Sequence, residues 1–408
     1  MVTQARQWNL MRDRSGGEQR VTNIELFFDL VYVFAVTQLS HFLLHHRTVT
    51  GALQAALLMV MVWLLWVYTT WVTNWLDPER LGVRLLLLAL MLVSLVMAAA
   101  LPEAFDGEGL AVGCCYALMQ IGRSAFTVVA LPGETLQRNF ERILAWCCAS
   151  GALAVAGGLS SGDARWILWL AAVATDLLGG IVGFYTPGLG RSSSGDWDIA
   201  GGHFAERCQA FILIALGESI VIIGATFAGL LATGHGGSAA EIAAFAVAFA
   251  GSAGLWWLYF DRSAEDGARR IAASADPGRL GRSAYHFIHP VMVAGIIVVA
   301  AADQIVLQGP AARGVATTSW MILGGTGLYI AGHTAFKAVV FRRTSVPRLI
   351  ALAVLALLGI LAPHVTALTL GICAAAVILT VAATDRLHGR GDDSAPAAGA
   401  PDRVNAGQ

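Results

Sequence analysis

The side chains of this sequence that could do chemistry are ionisable groups set inside long apolar runs. Glu25 and Asp29 stand four residues apart, so on a helix both carboxylates share one face. Two such groups in a low-dielectric site cannot both ionise cheaply. One would hold a proton or a cation, unless Arg123, Arg207 or loop arginines neutralise the pair and pin helices together. His203 and Arg207 repeat the four-residue spacing later in the chain, and Glu206 points away from them. Glu218 lies deeper in the same run without a charged neighbour on its own helix. It must be paired across helices, protonated or wet. Asp176, Asp261, His286 and His289 complete the set. Each costs several kcal/mol in hydrocarbon (about 2.5–3.5 on insertion scales), so each needs a partner, an aqueous cavity or a function.

Some of these have plain readings. Asp261 follows Trp257-Leu258-Tyr259-Phe260 and fits an interfacial helix end with aromatic anchors. His286 and His289, three apart, could both reach a metal. No third ligand accompanies them, so packed or pH-sensitive histidines are expected and no metal. No nucleophile elbow, HExxH or P-loop is found, and Gly325-x-Gly327 lacks a following glycine, so no cofactor is expected. The six cysteines sit in apolar runs without CxxC spacing and read as small apolar filler.

The elements that must position these groups follow from composition. Of 408 residues, 57% are apolar and 13% charged, against about a quarter charged in soluble domains. The runs reach about 20 residues, enough for a hydrocarbon core of roughly 30 Å. They fill the chain from Thr22 to Asp385 and leave no room for a sizeable soluble domain. Breaks at Pro, Gly and charged clusters predict an all-α polytopic membrane protein of about twelve transmembrane helices. The expected spans are 22–44, 51–75, 82–101, 110–130, 139–159, 164–184, 204–231, 240–260, 284–307, 317–340, 347–362 and 364–384. Pro363 and His364 mark either a kink or a tight turn between the last two. The first run carries Glu25 and Asp29 and has no small-residue cleavage site, so it reads as a retained span. A net charge of -1 points away from nucleic acid. The expected partners are the lipid bilayer, a small solute or ion, and a second copy of the chain.

Loop charge orients the spans. With a cytoplasmic N-terminus, the outer loops hold only Arg47, Arg165 and Arg313, and Arg123 lies within a span. The other 22 of the 26 Lys and Arg residues are then inside, as expected of a plasma-membrane protein with both termini cytoplasmic. In that orientation every ionisable group named above falls in the cytoplasmic half except Glu218. That residue lies about 22 Å along the seventh span, near or beyond the midplane.

The two halves also align in order. Gly122-Arg123-Ser124-Ala125-Phe126 faces Gly332-His333-Thr334-Ala335-Phe336, and Arg142-Ile143-Leu144-Ala145 faces Arg348-Leu349-Ile350-Ala351. Ala174-Thr175-Asp176 faces Ala383-Thr384-Asp385, and Trp66-Val67-Tyr68 faces Trp257-Leu258-Tyr259. A tandem 6+6 parallel repeat is expected, its copies related by an axis along the membrane normal. It divides the chain into a cytoplasmic segment (1–21), a first repeat (22–185), a cytoplasmic linker (186–202), a second repeat (203–385) and a disordered tail (386–408). Gly179 and Gly183, spaced as GxxxG, are candidates for close helix packing.

Two stretches carry a resemblance. One is Val21-Thr22-Asn23-Ile24-Glu25-Leu26-Phe27-Phe28-Asp29-Leu30-Val31-Tyr32, running on to Ser40. The other is His203-Phe204-Ala205-Glu206-Arg207, running on to Leu216-Gly217-Glu218-Ser219. With Asn74, Asp77-Pro78, the Pro187–Arg191 loop and Leu255–Asp261, they resemble the bacterial low temperature requirement protein A family over most of residues 20–345. The resemblance implies a multi-span protein connected with growth in the cold and brings no chemistry with it. A fainter likeness is to the two-repeat, six-helix endolysosomal and prokaryotic potassium channels, whose first helices carry Arg…Phe-Ser-Asp. Phe27-Phe28-Asp29 and Arg207-x-x-x-Phe211 are similarly placed. But Phe28 stands where that motif has Ser, and the second copy lacks the Asp, so the likeness is architectural.

The expected function is a transporter or channel for a small solute or ion using buried carboxylates between two halves. The alternatives are an intramembrane enzyme acting on lipid or isoprenoid head groups and a non-catalytic scaffold or sensor.

Overall fold

A computed structural model of the chain describes residues 10–13, 19–193, 197, 199–232 and 237–392. Among them the structure is helical, with three isolated β-bridges and no strand. The long helices, in chain order, are α1 (Asn23–His45), α2 (Val49–Trp75), α3 (Leu81–Ala100), α4 (Gly109–Ala130), α5 (Thr135–Leu159) and α6 (Gly162–Ile181). There follow α7 (Gly201–Ala232), α8 (Ala239–Phe260), α9 (His289–Gln308), α10 (Ala316–Phe341), α11 (Val346–Leu361) and α12 (Ala367–Asp392). Eleven of these segments are long and apolar enough to cross a bilayer. The remaining one, α10, has the length at 26 residues, about 39 Å, but its Thr, Gly, His and Lys residues make it less apolar.

Local sequence sets the ends. Glu25, third in α1, reaches back to the Thr22 backbone N–H at 2.9 Å. Ser238 and Glu241 close the start of α8 reciprocally, and Pro290 and Pro347 stand in the first turns of α9 and α11, where no helical N–H is lost. Pro363 lies in a 3-10 turn, Ala362–His364, and Ala367 N–H bonds back to Ala312 O, so α11 and α12 are separate helices. α12 continues to Asp392, seven residues into the segment expected to be a disordered tail, and residues 393–408 lie outside those described. Between α8 and α9 the chain forms the short helix Ser263–Ala272, a turn at Pro277–Leu280 and a π-helical segment, Gly281–His286.

Neighbours recur in the same order in the two halves. α1 packs on α3, α3 on α4, α4 on α5, α5 on α6 and α2 on α6; α7 packs on α9, α9 on α10, α10 on α11, α11 on α12 and α8 on α12. The halves meet where α1 and α2 both pack against α7 and α9. α2 is deeply enclosed, with Trp63 and Trp66 fully buried. Glycines let two pairs approach closely. A Cβ on Gly113 would lie 2.3 Å from Ala154 O across α4–α5, and one on Gly295 would lie 2.6 Å from Tyr329 N across α9–α10. Gly179 lets Trp146 of α5 approach α6, a Cβ there lying 3.0 Å from the indole, whereas Gly183 lies past the end of α6 at φ 67°, turning the chain so that Ser192 N–H can bond its carbonyl.

Candidate functional site

The two four-residue pairs of the sequence meet face to face. Arg207 on α7 donates from Nε to Asp29 Oδ2 (3.1 Å), from Nη2 to Asp29 Oδ1 (2.6 Å) and from Nη1 to Glu25 Oε1 (3.1 Å). His203, one turn earlier, lies 3.0 Å through Nε2 from Glu25 Oε1. Arg12, from the segment preceding α1, donates to Glu25 Oε2 at 2.8 Å, and Trp66 Nε1 on α2 donates to Asp29 Oδ1 at 2.7 Å. Asn74 holds the far side: its amide lies 3.2 Å from His203 Nδ1, and it exchanges bonds with both backbone groups of Ala200. Phe211, one turn beyond Arg207, packs on Trp63 and Trp66 with ring centroids 5.2 and 4.6 Å away and closes the cluster above.

Of the two readings that the sequence leaves open for the carboxylate pair, this geometry favours neutralisation by arginine: Arg207 spans both acids and Arg12 takes the remaining oxygen of Glu25. Fork-to-carboxylate bonding in a buried site is strong and directional. It ties α1 to α7, and therefore one half to the other. Glu206 is exposed and, among the described residues, accepts from Val21 N–H at 3.4 Å, outside the cluster.

Arg123 does not bridge these acids either. It donates to Gln120 Oε1, and the Gln120 amide donates at 2.8 Å to Asp176 Oδ2, which also accepts from Tyr116. Arg123 further reaches Leu65 O at 3.3 Å and stacks 5.2 Å from the Tyr68 ring, and Tyr68 bonds the Asp176 carbonyl. In the second half Asp385 takes both terminal nitrogens of Arg348, which also donates to His333. Arg142, which aligns with Arg348, instead bonds Leu189 O and Asn139.

A cavity of about 60 Å³ opens beside Arg123 and Asp176. Its wall is built by both halves. Tyr68, Trp71 and Trp75 come from α2, Phe140 from α5, and Arg279, Arg282, His286 and Phe287 from the connection before α9. The loop after α6 closes one side, held by Trp146 Nε1 on Tyr185 O and by Arg142 on Leu189 O.

Farther along, the polar groups lose their partners. Glu218 on α7 is buried, meets the Thr37 hydroxyl of α1, and has Oε1 without a hydrogen-bond partner. Asp303 Oδ2 and Gln304 Oε1 on α9 and Ser40 Oγ on α1 are likewise buried and unpartnered. Among the described residues these lie about 20–26 Å from the starts of three mutually packed helices that run the same way.

His289 is buried and satisfied by Tyr259 Oη at 2.7 Å and Ala284 O at 3.3 Å. Asp261, exposed at the end of α8, lines a second cleft with Arg262, Arg270 and Lys337. Among the described residues no three His, Cys, Asp or Glu side chains group as metal ligands. Sequence reasoning missed Asp303, although an acid in Val299-Ala300-Ala301-Ala302-Asp303 was there to find. It also missed Arg12, Trp66 and Asn74, whose roles exist only once α1, α2 and α7 are packed.

No solved structure matches the chain. An uncharacterized protein of Rhizobium meliloti (strain 1021) is 33% identical over 377 residues, covering 91% of this chain and 90% of the relative. The family model described as bacterial low temperature requirement A protein (LtrA) matches residues 20–383. The chain therefore belongs to the bacterial low temperature requirement A family of multi-pass membrane proteins.

Proposed function

We propose that the chain is a plasma-membrane transporter for a small solute, with both termini cytoplasmic and its solute site between the two halves. The observation that carries this reading is the cavity whose wall is drawn from both halves and holds a buried arginine and a buried aspartate. Sites of that kind are expected where repeats meet. We further read the halves as copies of one six-helix unit, which the recurring order of neighbours supports. Glu218 and Asp303, each with one buried oxygen unpartnered, are then the groups that would carry a coupling proton or cation, since an ion has no competitor for those two oxygens.

The test is flux in liposomes containing purified protein, scanning protons, alkali cations and small organic solutes against protein-free vesicles. Transport that Asp176→Asn and Glu218→Gln each impair supports the reading. Absence of any flux, together with intact cellular phenotype on neutralising Asp29 or Glu218, would sink it.

A further inference from the structure

The cavity has a charge and a shape that its structural role does not use. Four charged residues line it, and two are already committed. Asp176 receives Tyr116 and Gln120, and Arg123 is held by Gln120, Leu65 O and the Tyr68 face. Arg279, at the exposed rim, has Asp276 at 3.8 Å. Arg282 is half-buried and makes one long bond, 3.5 Å to Gly180 O. The charge left for a ligand is therefore positive. A guanidinium with free N–H groups in a partly dry wall matches a carboxylate fork, and it repels an ammonium.

The remaining wall is aromatic. Trp75 and Trp197 stand 5.5 Å apart at 46°, and Phe140 meets Trp75 edge-on at 5.6 Å. His286 sets its ring edge against Tyr68 at 5.6 Å. Such a wall favours a flat π system in an offset or edge-to-face arrangement. The space exceeds the roughly 10–15 Å³ that one water requires and is open on one side, so a small ligand can enter against this wall.

We infer that this cavity binds a small planar organic anion of the aromatic carboxylate class, its carboxylate on Arg282 and its ring against the wall formed by Trp75, Phe140 and Trp197. The inference rests on the transport reading for its purpose, but the binding it asserts is measurable by itself.

The experiment titrates purified full-length protein with benzoate, acetate and benzylamine, following tryptophan fluorescence and calorimetric heat. Saturable benzoate binding, roughly tenfold or more tighter than acetate and absent for benzylamine, is the expected result. Arg282→Gln should weaken benzoate at least tenfold with an unchanged melting transition, and Trp197→Leu should weaken benzoate but not acetate. The second variant decides the matter if the first fails to fold. Benzylamine binding as well as benzoate, or benzoate affinity indifferent to both substitutions, overturns the inference, as does a lack of saturable benzoate binding. Flux of another solute without benzoate binding would remove this ligand class and leave the transport reading standing. Benzoate binding without any flux would do the reverse.

Discussion

Arg207 meets Asp29 side-on, Nε to one carboxylate oxygen and Nη2 to the other, with both side chains buried. The guanidinium's third nitrogen is free to take Glu25, so one side chain satisfies two acids on successive turns of α1. Lysine could not do this, because the three N–H groups of an ammonium radiate from one nitrogen and cannot span two successive turns of a helix.

Removing that guanidinium should cost about 3–5 kcal/mol, since Arg207→Ala leaves Asp29 buried with the Trp66 indole and no cation among the described residues, while Glu25 keeps His203 and Arg12. Thermal unfolding in detergent should show the loss, and Arg207→Lys should fall between the two. The double variant Arg207→Met with Asp29→Leu should recover a good part of it. An unchanged melt for Arg207→Ala would refute the pairing as a structural joint.

Close helix approach gives a second expectation. Gly113→Ala would drive a methyl to 2.3 Å from the Ala154 carbonyl, whereas Gly122→Ala enters open space. The first should destabilise by about 1–3 kcal/mol and the second by far less. Equal effects in the same melting assay would count against the α4–α5 packing.

The orientation can be read by reporter fusions. Alkaline phosphatase joined after Arg313 should be active, while the same enzyme after Arg343 should be inactive and a fluorescent protein there bright. The reversed pattern would invert the protein in the bilayer. The charge bias predicts the first result: Arg342 and Arg343 stand together at the end of α10, and Arg313 is alone between α9 and α10.

Glu218→Gln and Asp303→Asn should leave the melt within about 1 kcal/mol of the parent, because neither carboxylate makes an ion pair among the described residues. Both should blunt the dependence of flux on the coupling ion. A large loss of stability, with ion dependence retained, would assign them to packing instead.

Much of the fold was legible because a bilayer leaves few choices. A run such as Leu85-Leu86-Leu87-Leu88-Ala89-Leu90 must be helical to satisfy its backbone in hydrocarbon, and proline and glycine mark the ends. The face shared by Glu25 and Asp29 and that shared by His203 and Arg207 were also legible, since periodicity alone fixes them. Their meeting was not. Nothing local in the chain says that residue 207 pairs with residue 29 in preference to Arg123, which turns instead to Gln120. The cavity was equally hidden, because α2, α5, α6 and the segment before α9 contribute to it from distant parts of the sequence.

The α1–α7 joint also sets a clock on biogenesis. Asp29 and its arginine are 178 residues apart, so at about 5–20 residues per second the acid waits roughly ten to forty seconds for its partner. Through that interval Arg12 is the one cation among the described residues that offsets the two carboxylates of α1, helped by Thr22 and the α2 indole. A nascent first half is thus an unfinished object that the translocon, water or a borrowed proton must tolerate until α7 arrives. Cells that slow translation in the cold lengthen that wait in proportion.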